Sequence, residues 1–204
     1  MRQRNYDTAL ALTDQALSRA PTSQDALRLR SDILIAQRKL GPALATAEKL
    51  RDIADDKPQG HISVARVHQA EGRHVEALAE FDKALALAPN SVAALTGMVR
   101  SHLLMKQVDA AVVRLKAVIK KTPDNVYAHN LLGEVYASNK ASEDAKRAFS
   151  RATELRNTWT LPYVNWSRLI LAEGKPKDAI VVVQRGLKAS PKDATLLFTL
   201  ATAQ

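Results

Sequence analysis

The chain contains no cysteine. That absence excludes a disulfide framework, a thiolate metal site and a cysteine nucleophile, and it leaves the compartment open. Aromatic residues supply only 4% of a sequence that is 46% hydrophobic, a balance that suits alanine-and-leucine helix packing and not a β-sandwich. No β-branched alternating run is bounded by hairpin signals. Seven glycines are present, several at expected helix–helix turns (Gly72, Gly174). No apolar run approaches the roughly 20 residues of a membrane span. The opening residues, MRQRNYDTAL, are polar and do not read as a secretory signal. The chain has no G-x-S-x-G, Walker, dinucleotide-binding or paired-carboxylate arrangement, so neither catalysis nor a cofactor is expected.

What is present is a helix pair. From Val126 to Trp159 the sequence reads VYAHNLLGEVYASNKASEDAKRAFSRATELRNTW. His129, Leu132, Gly133 and Tyr136 fall at i, i+3, i+4 and i+7, one face of a helix. Ala145, Ala148, Phe149 and Ala152 do the same in a second helix. Ser138-Asn139-Lys140 supplies turn chemistry between them. Ser142-Glu143-Asp144 offers a capping hydroxyl and first-turn acids. Small residues (Gly133, Ala145, Ala152) alternate with large ones (Tyr136, Phe149), as close helix packing requires.

One helix pair cannot bury its apolar faces alone, so copies are expected. Stepping by 34 residues from Ala145 meets Ala9, Ala43, Ala77, Ala111 and Ala179, alanine each time. Phe149 leads to Thr13, Ala47, Phe81, Leu115 and Val183. Ala152 leads to Ala16, Leu50, Ala84, Val118 and Gly186. Gly133 leads to Ser31, Ala65, Val99 and Ser167. Asn157 leads to Pro21, Asp55, Pro89, Pro123 and Pro191.

A period of 34 with Leu132-Gly133-x-x-Tyr136, Ala145-x-x-x-Phe149-x-x-Ala152 and a closing proline column resembles the tetratricopeptide repeat family. The usual early Trp is absent from the first helices. Arg30 stands where a large apolar residue is expected and Val99 where a small one is, so those units should pack less regularly. The resemblance implies an all-α fold, a right-handed α-solenoid of stacked helix-turn-helix units whose first helices line a concave groove. It also implies that the groove holds an extended peptide or a helix of a partner protein.

The chain is 204 residues long, six periods. The expected organisation is one solenoid segment, 1–204: a half unit 1–23, units 24–57, 58–91, 92–125, 126–159 and 160–193, and a half unit 194–204. Gln3 to Asp7 reads as the turn before a second helix, Ala9 to Ala20, closed by Pro21. Leu196, Leu197, Leu200 and Ala201 form an apolar face with no expected cover. A segment of a longer repeat protein is therefore expected; the alternative is end-to-end self-association through uncapped terminal helices. Asn90-Ser91 and Asp124-Asn125 follow prolines and are expected to cap the next helices. Pro176, Pro42 and Pro162 fall early in their helices, where a missing N–H is harmless.

Function is expected on the first helices, beside the packing columns. One position past the Gly133 column come Asp32, Arg66, Arg100, Glu134 and Arg168. Four residues earlier, on the same face, come Arg28, Ile62, Thr96, Asn130 and Val164. Tyr127 and Asn165 lie on or beside this surface. The candidate groove residues are Arg28, Arg66, Arg100, Tyr127, Asn130, Glu134, Asn165 and Arg168. Guanidinium forks bind carboxylates, and asparagine amides bond a peptide backbone at both N–H and C=O. An acidic or polar protein or peptide is the expected ligand. The competing reading is a solvated face with the arginines paired to Asp32 or Glu134. A subgroup of the resembled family clamps a C-terminal carboxylate with lysine and asparagine; Arg28 with Asp32, and Asn130 with Glu134, match that pair poorly, and the ligand is not carried over.

A net charge of +9 and a pI near 9.9 raise a polyanion as an alternative ligand. An acidic polysaccharide fits better than nucleic acid, because the aromatics that would stack bases are few. The densest cluster, Arg114, Lys116, Lys120 and Lys121, falls on a second helix and reads as a solvated face. His68 and His102 share a packing column, as do His61 and His129, and none stands in a zinc pattern, so no metal is expected. Trp166 reads as packing, and Trp159 sits at a unit junction. The segments from Leu40 to Asn90 and Gly174 to Ala201 also resemble repeat lipoproteins of bacterial exopolysaccharide and exosortase-type (PEP-CTERM) sorting loci, which would imply a periplasmic or cell-envelope setting.

The register generates a stability test. Ala145→Leu should overpack its helix pair and cost about 1–3 kcal/mol, and Phe149→Ala should cost about 3–5 kcal/mol through a cavity. Urea denaturation midpoints measure both, and unchanged midpoints would refute the register.

Overall fold

A computed structural model describes residues 2–203. They form twelve α-helices and, among the described residues, no strand. The architecture is an all-α helical-repeat solenoid. Its contacts divide it into two compact units, Met1–Gln107 and Val108–Gln204. The first holds α1 (Arg2–Arg19), α2 (Gln24–Ala36), α3 (Leu40–Ile53), α4 (Pro58–Ala70), α5 (His74–Leu87) and α6 (Val92–Leu104). The second holds α7 (Val108–Lys121), α8 (Val126–Ser138), α9 (Ser142–Leu155), α10 (Leu161–Ala172), α11 (Pro176–Ala189) and α12 (Ala194–Ala203). The even-numbered helices are the first helices of the sequence pattern and the odd-numbered ones the second.

Two turn types alternate. After α2, α4, α6, α8 and α10 the chain passes through a left-handed residue: Arg38, Gly72, Lys106, Lys140 or Gly174, with φ between 59° and 78°. The next N–H reaches back to the same helix-end carbonyl in each case: Lys39 to Leu34 O, Arg73 to His68 O, Gln107 to His102 O, Ala141 to Tyr136 O and Lys175 to Ile170 O. This Schellman closure satisfies carbonyls that a helix end leaves without partners. After α1, α5, α7 and α11 the turn is closed three residues back, as in Ser91 N to Ala88 O and Asn125 N to Thr122 O, both 3.0 Å. Pro21, Pro89, Pro123 and Pro191 stand second in those turns, where a fixed φ near −65° is favourable and no N–H is needed. That position accounts for the proline column.

The caps follow from the same geometry. Ser91 and Asn125 accept from the Ala94 and Ala128 N–H groups, as their sequence positions suggest. Ser23 and Asp193 act alike on Ala26 and Leu196. Ser142 does not cap. The Schellman turn makes Ala141 the N-cap of α9, so Ser142 is the first helical residue and its hydroxyl donates to Glu173 instead.

The core is most of the expected set of columns, although Ala9 and Val118 are only half-buried and Ala16 is exposed. Ala43, Ala77, Ala111, Ala145 and Ala179 are fully buried, and Ala47, Phe81, Leu115, Phe149 and Val183 lie beside them. In the second unit the Phe149 ring covers Gly133 so closely that a Cβ there would lie 2.5 Å from it. In the first, the Phe81 ring meets Gly97, where a Cβ would lie 2.1 Å away. Gly97 stands two residues before the column that reads Val99, and Val99 itself is buried. Arg30 replaces an apolar anchor with polar bonds: its Nε donates to Asp14 Oδ1 at 2.7 Å and its Nη1 to Thr46 Oγ1 at 3.2 Å.

Two expectations are corrected. The turn expected at residues 3–7 is helical, because α1 runs unbroken from Arg2. That stretch has no glycine or proline, no left-handed residue occurs in it among the described residues, and Asp7 Oδ1 accepts from Gln37 Nε2 at 2.9 Å on the flank of the continuous helix. The face expected on α12 divides. Leu196 is fully buried and Leu200 packs on the Tyr163, Val164, Ile170 and Val183 cluster, whereas Leu197, Ala201 and the unforeseen Phe198 are exposed. A helix lying on a neighbour buries a stripe, and the residues at i+1 from that stripe turn outward.

The left-handed turns generate a prediction. Lys140, at φ 59°, carries a side-chain penalty that glycine lacks. Lys140→Gly should raise stability by about 0.5–1 kcal/mol in thermal or urea denaturation; a lowered midpoint would contradict this assignment of the turn.

Candidate partner-binding surface

In the first unit the polar face of α2, α4 and α6 is arginine-rich. Arg66 Nη1 lies 2.6 Å from Asp32 Oδ1 on the preceding first helix. Arg28 flanks the same carboxylate at 4.0 Å and Asp25 at 3.6 Å, both within α2. Arg100 is exposed on α6 and makes no ion pair or side-chain hydrogen bond among the described residues. Arg66 and Arg100 line one cleft of about 330 Å³ together with Ile35, Arg38, Gln69 and Leu104.

Arg38 and Gln69 are site residues that the first-helix columns do not select. Arg38 enters because the left-handed turn throws its side chain across to α4, where Nη1 donates to Ala70 O at 3.4 Å. The Gln69 amide nitrogen donates to Gly97 O and Ser101 Oγ, both at 2.8 Å, and so ties α4 to α6 at the cleft floor. The sequence signal for Arg38 was its phase with Gly72 and Gly174.

In the second unit three candidates converge. Asn130, only 3% exposed, donates through Nδ2 to Glu134 Oε1 at 2.7 Å. Asn165 Nδ2 on α10 donates to the same Oε1 at 2.8 Å and to Asn130 Oδ1 at 3.3 Å. Part of Glu134 reaches solvent, yet the surrounding protein is the largest influence on its carboxyl and raises it above the ordinary carboxylate value, against the two amide bonds. The amides expected to meet a peptide backbone are therefore engaged with one another. Tyr127 stands apart from this cluster. Its ring meets Trp159 edge-on at 5.0 Å, with the Arg156 guanidinium 5.3 Å over its face and bonded to its hydroxyl. Arg168 is exposed on α10 and, among the described residues, has no ion-pair partner. Val164, from the same sequence row as Asn130, is buried in the core and lines no surface.

The second-helix side holds much of the acid–base pairing. Glu173 accepts from the Ser142 hydroxyl and from Lys146 and Lys175 at 2.9 and 3.2 Å. These bonds, the Ser142 one foremost, lower its carboxyl from 4.5 to about 2. The histidines also find acid partners that the sequence did not signal. His61 Nδ1 lies 2.6 Å from Glu80, and His68 Nδ1 lies 3.2 Å from Glu71. Burial opposes the Glu80 charge, but His61 and Lys83 outweigh it and hold the carboxyl below its ordinary value. Among the described residues no three His, Asp or Glu side chains group as a metal site, and no helix is long and apolar enough to cross a membrane.

These features agree with what the chain resembles in sequence. Tetratricopeptide-repeat family models match residues 1–60, 68–135 and 126–158. The chain belongs to the tetratricopeptide repeat family, whose fold serves in general as a non-catalytic scaffold for protein or peptide partners. No curated relative matches it in sequence. Among solved structures it is similar to PilW, a widely conserved type IV pilus biogenesis factor, at 20% identity and a TM-score of 0.63, covering 98% of this chain and 93% of that one. It is similar to a thermophilic TPR protein of Thermus thermophilus at 19% identity and a TM-score of 0.61, covering 97% and 98%. YrrB, a TPR protein with an unusual peptide-binding site, matches at 15% identity and a TM-score of 0.52 over 91% and 96%. At these identities the likeness is one of fold.

The Glu173 network generates a pH prediction. A carboxyl lowered on folding contributes stability above its unfolded value near 4.5, and that contribution is lost as pH falls toward 2. Glu173→Gln should therefore lower the unfolding midpoint at pH 7 and narrow its gap to wild type between about pH 5 and 2. A gap independent of pH would refute the linkage.

Proposed function

We propose that this chain is a non-catalytic scaffold that holds an acidic or polar partner peptide or protein on the polar face of its first helices. The observation that carries the reading is the cleft shared by Arg66 and Arg100. These two arginines occupy the same register on neighbouring helices, and Arg100 has no partner of its own among the described residues. A guanidinium left exposed in a cleft can offer a bidentate fork to a carboxylate without first breaking an internal pair. Arg28, Asn130, Glu134, Asn165, Tyr127 and Arg168 extend the polar first-helix surface within their own units. The work is recognition by a preformed surface.

The setting we propose is bacterial cell-envelope assembly, in exopolysaccharide or exosortase-type protein sorting. The repeat flavour of the segments from Leu40 to Asn90 and Gly174 to Ala201 supports it. The net charge of +9 favours a second reading, a module for an acidic polysaccharide, less so for nucleic acid. Salt separates the two. Polyanion binding should weaken steeply with ionic strength, whereas a discrete peptide contact should survive moderate salt.

A nuclease-treated pull-down from native cell extract tests the scaffold, comparing wild type with Arg66→Glu/Arg100→Glu. A defined protein retained by wild type and lost by the charge-reversed variant is the expected outcome. Equal retention by both would reduce the arginines to a solvated face.

A further inference from the structure

The cleft formed by α2, α4 and α6 is a cluster of cations with too few internal anions. Three guanidiniums, Arg38, Arg66 and Arg100, line it, and no carboxylate does among the described residues. The nearest counter-charge is Asp32, which meets Arg66 from α2 at 2.6 Å. Arg38 donates only to the Ala70 carbonyl at 3.4 Å, and Arg100 has no partner among the described residues. Like charges gathered in one concavity repel one another, and a bound anion removes that cost. Apart from Gln69 the rest of the lining is apolar: Ile35, Ala70 and Leu104. Gln69 is committed to Gly97 and Ser101 and fixes the spacing of α4 against α6.

That spacing selects a ligand. Arg66 and Arg100 stand one 34-residue period apart, in the same register on adjacent packed helices. Packed helix axes lie about 8–10 Å apart. A polyproline II strand has three residues per turn and rises about 3.1 Å per residue, so side chains on one face recur about every 9 Å. An α-helical guest would repeat its face at about 5.4 Å, and a β-strand at about 6.6 Å, both too short for one side chain per arginine. Proline rings, which hold a chain in polyproline II, also suit the apolar lining.

We propose that this cleft binds a proline-rich extended segment bearing carboxylates at every third residue, one on Arg66 and the next on Arg100, with Arg38 supplying positive charge beside them. The assignment rests on the first-helix binding surface of the preceding subsection and adds the ligand's conformation and charge spacing.

The test is fluorescence anisotropy on the full chain at moderate salt with two labelled peptides. One carries four Glu-Pro-Pro repeats. The other has the same residues with its glutamates in two contiguous pairs separated by three prolines, so that no two lie three residues apart. Wild type should bind the period-three peptide about tenfold more tightly than the paired one, since one matched charged contact is worth about that factor. Arg100→Gln should weaken the period-three peptide about tenfold with an unchanged circular dichroism spectrum, and Lys177→Gln, on the exposed side of α11, should leave it unchanged. Equal or tighter binding of the paired peptide would overturn the proposal, because charge density alone would then explain binding. Indifference to Arg100→Gln, or no binding of either peptide, would also overturn it. If the peptides fail while the charge-reversed double variant still loses a cellular partner, the ligand assignment falls and the binding surface stands.

Discussion

The structure depends on one backbone constraint. After each of α2, α4, α6, α8 and α10 a single residue enters the left-handed region and reverses the chain, and within each unit the second helix then lies back on the first. Glycine meets that requirement at Gly72 and Gly174 without strain. Arg38, Lys106 and Lys140 meet it against a steric penalty of about 1–2 kcal/mol. The Schellman closing bond offsets part of this by satisfying helix-end carbonyls that would otherwise face only solvent. Within each unit the reversals share this geometry, and the alanines of its complete second helices are buried alike. In the α8–α9 pair the Phe149 ring then closes on Gly133, whereas Phe81 of α5 closes on Gly97 of the following helix, α6, across the other turn type.

The same geometry divides the surface chemically. Acidic residues on the second helices lie one turn from basic ones and pair locally, as Asp144 does with Arg147 and Glu143 with Lys146. Glu173 gathers a hydroxyl and two ammonium groups around one carboxylate. On the first helices of the first unit Arg28 lies within reach of both Asp25 and Asp32. Asp32 serves Arg66, and Arg100 is left without an acid among the described residues. A surplus of unneutralised guanidinium accordingly collects in a cleft whose other lining residues are Ile35, Gln69, Ala70 and Leu104. In the second unit the polar candidates neutralise one another: two asparagine amides close on Glu134.

Sequence reasoning reached the fold through features that act locally. The alanine and proline columns, the capping positions at 90–91 and 124–125 and the alternation of small with large residues follow from residue type and spacing, because helix period and turn stereochemistry operate within a few residues. It failed where a distant element decides. Residues 3–7 resemble a turn by composition, yet helix continues through them. Ser142 looks like a cap, yet the preceding left-handed residue moves the cap to Ala141 and frees the hydroxyl for Glu173. Gly97 carries no signal of its close contact, because only the placement of Phe81 on α5 demands a missing side chain there.

By itself, then, the sequence determined the repeat, its period, the helix type and which columns are core, since each is written in residues that interact along the chain or recur by translation. It also determined that arginines recur on the first helices. The tertiary structure alone decided which polar side chains were consumed and which were left available. Asn130, Glu134 and Asn165 look as available as Arg100 when read in order along the chain. They meet across two helices, however, whereas no described side chain pairs with Arg100. Arg38 joins the cleft for a similar reason, because a left-handed turn aims its long side chain at the neighbouring helix. Charge pairing between helices depends on distances set by packing, and those distances do not exist until the helices have stacked.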